Sequence, residues 1–144
     1  RDRRGLAPPE AVLGGPPVPV QPGFGGTAPW AFSQLKLADL GQRPQPEQLL
    51  AALDARDLAQ LEAATANVLE TVALEAQPVL CDLKARLKAL GAGLAMMSGS
   101  GPTVYGLFAD LATRDQALQI LKAELPASYQ LFAAETQAEG CKLV

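Results

Sequence analysis

Leu80, Leu83, Leu87 and Leu90 recur at three- and four-residue spacing, and Asp82, Lys84, Arg86 and Lys88 fill positions between them. This is the pattern of a helix with one apolar stripe. Pro78 suits its first turn and Gly91 and Gly93 suit its end, so the spacing predicts a helix between these marks. A second stripe, Ala117, Leu118, Leu121 and Leu125, follows Thr113 as a candidate N-cap and meets Pro126 as a stop. From Pro46 to Leu61 the residues Leu49, Leu50, Leu53, Leu58 and Leu61 fall near helical spacing, interspersed with Asp54, Arg56 and Asp57. An amphipathic helix pair or one bent helix is expected there. Asn67 reads as the cap of a further helix, and Thr27 as the cap of another with Pro29 in its first turn.

The period changes after Gly93. Met96-Met97 runs into Ser98-Gly99-Ser100-Gly101 and then into Val104-Tyr105-Gly106-Leu107-Phe108, a β-branched and aromatic run that reads as a strand. The order is strand, glycine loop, strand. Pro8, Pro9, Pro16, Pro17, Pro19 and Pro22 crowd the first 23 residues, and proline donates no ladder hydrogen bond. Residues 1–16 therefore read as an irregular lead-in and Val18 to Gln21 as a short edge strand. Tyr129 to Thr136 reads as the last strand, with 138–144 as a tail. Strand, several helices, strand, strand, helix, strand predicts an α+β domain over residues 17–137, with one antiparallel sheet of about four strands and helices mostly on one face.

A chain of 144 residues with 49% apolar residues suits one core. The net charge of −3, with no basic cluster larger than Arg1-Asp2-Arg3-Arg4, argues against a nucleic-acid surface. No apolar stretch approaches the 18 or so residues of a membrane span, and a soluble cytoplasmic protein is expected. Cys81 and Cys141 lack metal-ligand spacing and read as plain thiols. Histidine is absent, which excludes Ser-His-Asp and Cys-His chemistry and removes the commonest metal ligand. A Gly-x-Ser-x-Gly elbow around Ser100 would need glycine where Ser98 stands. No catalytic residue and no metal ligand is assigned in this chain.

Gly99 and Gly101 permit positive φ and clear Cβ atoms from around the loop's N–H groups. Such a loop serves either as a hairpin turn or as an anion cradle, and the pattern leaves both open. The whole run Met97 to Phe108 resembles the third conserved motif of the GHMP kinases. Within them it is most similar to the branch that acts on 4-diphosphocytidyl-2-C-methyl-D-erythritol in non-mevalonate isoprenoid biosynthesis. The resemblance extends over roughly Val18 to Thr136. Pro22-Gly23 through Phe32 resembles that branch's Pro-Gly…Thr-x-x-x-aromatic signature, although Ala31 holds the usual aromatic position with Trp30 and Phe32 on either side. Asn67-Val68-Leu69-Glu70 resembles an Asn-Asp-hydrophobic-Glu element, with Val68 in place of the aspartate. Read without the resemblance, Trp30 packs into the core or faces a partner.

The resemblance implies the C-terminal, ferredoxin-like domain of an enzyme that moves the γ-phosphate of ATP, with Mg²⁺, to the 2-hydroxyl of the cytidyl substrate. It implies that Gly99, Ser100 and Gly101 offer backbone N–H groups to the cofactor's phosphates, with Ser98 and Thr103 steadying the loop. It further implies that Thr27 and either Trp30 or Phe32 line the substrate side. An N-terminal kinase domain is the implied partner, since the lysine, the Gly-Leu-Gly-Gly-Ser-Ser-type ATP loop and the catalytic aspartate of such enzymes are not in this sequence. The chain alone is thus expected to bind no cofactor and to be inactive, as part of a longer protein. The alternatives are another GHMP kinase, such as homoserine, mevalonate or galactose kinase, and a free-standing, non-catalytic ferredoxin-like domain that binds a ligand.

Overall fold

The computed structural model describes residues 15–25, 28–36 and 40–136. Residues 1–14 of the lead-in, Thr27, Cys141 and the 138–144 tail lie outside them. The elements are β1 (Pro17–Gln21), α1 (Ala28–Gln34), α2 (Pro46–Ala55), α3 (Leu58–Ala64), α4 (Glu70–Ala76), α5 (Val79–Ala89), β2 (Leu94–Met97), β3 (Val104–Leu107), α6 (Leu111–Glu124) and β4 (Gln130–Leu131). The sheet runs β2-β3-β1-β4 with every pairing antiparallel. This is the βαββαβ plan of a ferredoxin-like domain with its first crossover expanded to five helices.

The expected edge strand lies in the interior of the sheet, and its prolines explain how. Pro17 and Pro19 carbonyls accept from the N–H groups of Ala134 (3.2 Å) and Phe132 (3.2 Å), so both residues turn their polar side towards β4. Val18 and Val20 turn theirs the other way, opposite Gly106 and Val104 of β3. All the missing proline donors thus fall on one seam, and the β1–β3 seam keeps its ladder. The same arrangement cuts the last strand short. Tyr129 to Thr136 was expected to be extended throughout, but regular pairing stops at Leu131 because the prolines cannot reciprocate the bonds from Phe132 and Ala134.

Val18, Val20, Ala95, Met97, Val104 and Phe108 face the main core, where they meet Leu80, Leu83 and Leu87 of α5, Leu118 and Leu121 of α6, Ala73 of α4 and Ala31 of α1. The opposite side of β2 and β3, through Leu94, Met96, Tyr105 and Leu107, packs on Ala52 and Leu61 of α2 and α3. Four of the six helices among the described residues therefore line one face. Arg56, at φ 53°, turns the chain between α2 and α3, and the Asp57 carboxylate caps α3 through Ala59 and Gln60 N–H, which settles the segment as a helix pair. The α6 cap differs from expectation. Asp110 takes that place by accepting from Thr113 N–H (2.8 Å) and from its hydroxyl (2.9 Å), so Thr113 sits one turn inside. Gly15 and Pro16, assigned to the lead-in, are buried, and Pro16 O accepts from Phe108 N–H. No described helix is long and apolar enough to cross a membrane.

Candidate functional site

The loop between β2 and β3 is closed from within by its backbone. Ser98 N–H donates to Thr103 O (2.8 Å), and Gly101 N–H donates back to Ser98 O (2.9 Å), a tight turn carried by positive φ at Gly99 (55°) and Gly101 (74°). The Thr103 hydroxyl also donates to Gln21 Oε1, which ties the loop's return to the end of β1. Of the three N–H groups expected to face an anion, that of Gly101 is occupied by the turn. Those of Gly99 and Ser100 have no acceptor among the described residues. Ser98 enters these bonds through its backbone alone, and Thr103 through its carbonyl and its hydroxyl.

A second set of bonds reaches the loop from outside. Asn67 stands before α4, where its Oδ1 accepts from Leu69 N–H (3.1 Å) and its carbonyl from Glu70 N–H (2.9 Å). Its Nδ2 donates to two carbonyls, Met97 O (3.0 Å) and Gly99 O (2.8 Å). One turn on, Glu70 Oε1 accepts from Met97 N–H (2.5 Å) while Oε2 pairs with Lys84 of α5 (2.6 Å). Glu62 of α3 does the same further along, accepting from Ala95 N–H (3.1 Å) and pairing with Lys88 (2.7 Å). The outward N–H groups of β2 are thus met by carboxylates in place of a fifth strand. Burial, together with the Glu70 charge, raises the Tyr105 phenol above its ordinary pKa of 10.0.

The expected aromatic platform is divided. Ala31 is fully buried, whereas Trp30 (38% exposed) and Phe32 (61%) leave α1 on different flanks, as residues two apart on a helix must. Trp30 lines a groove of about 450 Å³ with Gln34, Lys36, Thr71, Val72 and Glu75, between α1 and α4. Trp30 is therefore neither core nor isolated. No described contact joins Trp30 or Phe32 to the glycine loop, and Thr27 lies outside the described residues.

The family description "GHMP kinases C terminal" matches residues 49–127, more than half of the chain, a span that holds the clasp of Asn67 on Met97 O and Gly99 O, the glycine loop and α6. The chain belongs to the GHMP kinase family. This GHMP kinase domain is 42% identical over 91 residues to 4-diphosphocytidyl-2-C-methyl-D-erythritol kinase of Acetivibrio thermocellus, covering 63% of this chain and 32% of that protein. It is 36% identical over 125 residues to the kinase of the same name from Pelobacter propionicus, covering 83% and 41%. A crystal structure of 4-(cytidine 5'-diphospho)-2C-methyl-D-erythritol kinase superposes with a TM-score of 0.68 at 28% identity, over 85% of this chain and 43% of that one. Homoserine kinase from Cytophaga hutchinsonii shares the fold, with a TM-score of 0.64 at 16% identity. The GHMP kinase domain thus spans about a third to two fifths of the length of the curated relatives it matches.

Two residues of this GHMP kinase domain that sequence reasoning left out of the site, Asn67 and Glu70, bond to the loop and to the end of the strand that leads into it: Asn67 to Gly99 O and Met97 O, Glu70 to Met97 N–H. Their signal was present in the Asn-x-hydrophobic-Glu spacing, but capping explained Asn67 well enough to hide its second job. No three metal-ligating side chains converge among the described residues.

Proposed function

We propose that this chain is the C-terminal part of an ATP-dependent kinase that transfers a γ-phosphate to the 2-hydroxyl of 4-diphosphocytidyl-2-C-methyl-D-erythritol. The observation that carries the reading is the pair of Gly99 and Ser100 N–H groups, left without acceptors on a loop fixed from within and from Asn67. Preorganised backbone donors of this kind stabilise charge on a transferring phosphoryl group without having to reorganise. The names of the relatives support the substrate class.

In this reading the loop, residues 98–103, covers the phosphates, and Ser98 and Thr103 hold its ends. Trp30 lines the cytidyl side, with Lys36 and Glu75 as polar groups in the same groove; the family resemblance alone assigns Thr27 to that side, with Phe32 as the alternative aromatic. Mg²⁺, when bound, would neutralise the phosphate charge, with its ligands drawn from ATP and from a second domain. That domain also supplies the lysine, aspartate and ATP loop, leaving this chain inactive alone. Residues 17–137 make up the folding unit, with Gly15 and Pro16 packed onto it, and the protein works in the cytoplasm.

The test is to express the natural gene in full and assay ATP-dependent phosphorylation of the cytidyl substrate beside homoserine. Turnover of the cytidyl substrate is expected. Turnover of homoserine alone, or of neither, overturns the reading.

A further inference from the structure

We propose that Asn67 is a positioning residue that aims the Ser100 N–H outward from the loop, and that a single side chain thereby sets the anion-facing donor. The proposal rests on the phosphate role given to the loop above.

The argument begins with the peptide plane. In a trans peptide the C=O and the following N–H point in opposite directions. Asn67 Nδ2 lies 2.8 Å from Gly99 O and so fixes one end of the Gly99–Ser100 plane. The other end, Ser100 N–H, must then point directly away from Asn67, and no described group accepts from it.

Left to itself that plane would be free to turn. Gly99 sits at φ 55° with nothing within 4 Å of where a Cβ would stand, so no contact at that position restrains it. The turn bonds of Ser98 and Gly101 bracket the plane without touching it. Asn67 supplies the missing restraint, and its second bond, to Met97 O, keeps the amide itself from rotating. Oδ1, accepting from Leu69 N–H, holds the other polar atom of the same amide group. Each polar atom of the Asn67 side chain is therefore used, and a donor at this position is required.

Asn67→Asp separates the two jobs. A carboxylate still accepts from Leu69 N–H, but it donates nothing and sets negative charge against two carbonyl oxygens. Asn67→Ser keeps a short cap acceptor, lacks the reach to the loop and adds no charge.

The experiment records one-bond N–H residual dipolar couplings of the full gene product and of both variants made in it, followed by titration with inorganic triphosphate. In the parent chain, the Ser100 coupling is expected to fit an N–H opposed to Gly99 O. In both variants it is expected to change or average, while the Leu69 and Leu121 couplings stay put as evidence of an intact fold. Triphosphate is expected to shift the Gly99 and Ser100 amide resonances, with affinity falling about tenfold or more in Asn67→Ser. An unchanged Ser100 coupling in both variants overturns the positioning role, whatever the anion does. A parent chain whose loop amides ignore triphosphate, with couplings that still change in the variants, overturns the phosphate reading and upholds the positioning.

Discussion

A Cβ placed on Gly101 would stand 2.5 Å from Met97 Sδ, and Met97 is only 2% exposed. The thioether at the end of β2 thus occupies the space a side chain at Gly101 would need. Gly101 also sits at φ 74°, so alanine there meets backbone strain and a clash together. The Gly101→Ala variant is expected to lose about 1–3 kcal/mol in urea unfolding. Met97→Ala removes the clash, and the two substitutions should couple by about 0.5–3 kcal/mol in a double-mutant cycle. Strict additivity would show that the packing is incidental.

The two carboxylates along β2 are unequal. The Glu70 side chain is 15% exposed and pairs with Lys84, whereas Glu62 is 37% exposed and pairs with a Lys88 that is 40% exposed. Removing Glu70 strands the Met97 N–H in a sheltered place, with an expected loss of about 1–3 kcal/mol for Glu70→Ala. Water can replace Glu62 at Ala95 N–H, so Glu62→Ala is expected to lose about 0–1 kcal/mol, and less in high salt. Chemical denaturation at two salt concentrations checks both; equal losses would contradict the assigned exposure.

Acid reaches the domain through exposed carboxylates. The Thr113 backbone N–H, and then its hydroxyl, hold the Asp110 carboxyl below its ordinary 3.8, and a hydrogen bond and charge from Arg86 lower Glu124 below 4.5. Groups with depressed folded values contribute stability above their unfolded pKa and lose it as pH falls through the folded one. The Tm is therefore expected to drop from about pH 4 downward. Asp110→Asn retains the cap and should flatten part of that drop while changing little at neutral pH. An acid profile identical to that of the parent chain would remove Asp110 from the account.

Trp30 is the chain's one tryptophan, so its emission reports on its groove without labelling. If the groove takes a cytosine, cytidine diphosphate should quench, in the full gene product, emission that Trp30→Phe removes. Stacking on the indole is expected to contribute about 1–3 kcal/mol, so Trp30→Ala should weaken binding much more than Phe32→Ala. The opposite order in a calorimetric titration would move the base to the other flank of α1.

Helices were the most legible part of the sequence, because leucine spacing in α5 and α6 reports directly on which face is buried. The glycine loop was legible through its run of small residues, although its internal use of the Gly101 N–H was not. What escaped depends on residues far apart in the chain. The inner position of β1 follows from Pro17 and Pro19 turning the same way towards a strand more than a hundred residues later, and composition alone makes proline look like an edge signal. The clasp joins Asn67 to carbonyls 30 and 32 residues on, which no local pattern announces. The Asp110 cap was missed for a simpler reason: aspartate and threonine three apart both suit the position, and only geometry shows which accepts.

The carboxylate margin of β2 has a bearing on how copies of this domain behave when crowded together. An unsatisfied ladder is a template, and a neighbouring molecule that docks a strand there gains hydrogen bonds without any designed fit. Here the positions that such an intruder would claim are already taken by Glu62, Glu70 and Asn67 of the same chain. An incoming strand would have to displace charged groups held by their own lysines before its first bond could form. That side of the sheet is closed to runaway stacking, so any lengthening of the sheet must proceed from the β4 side.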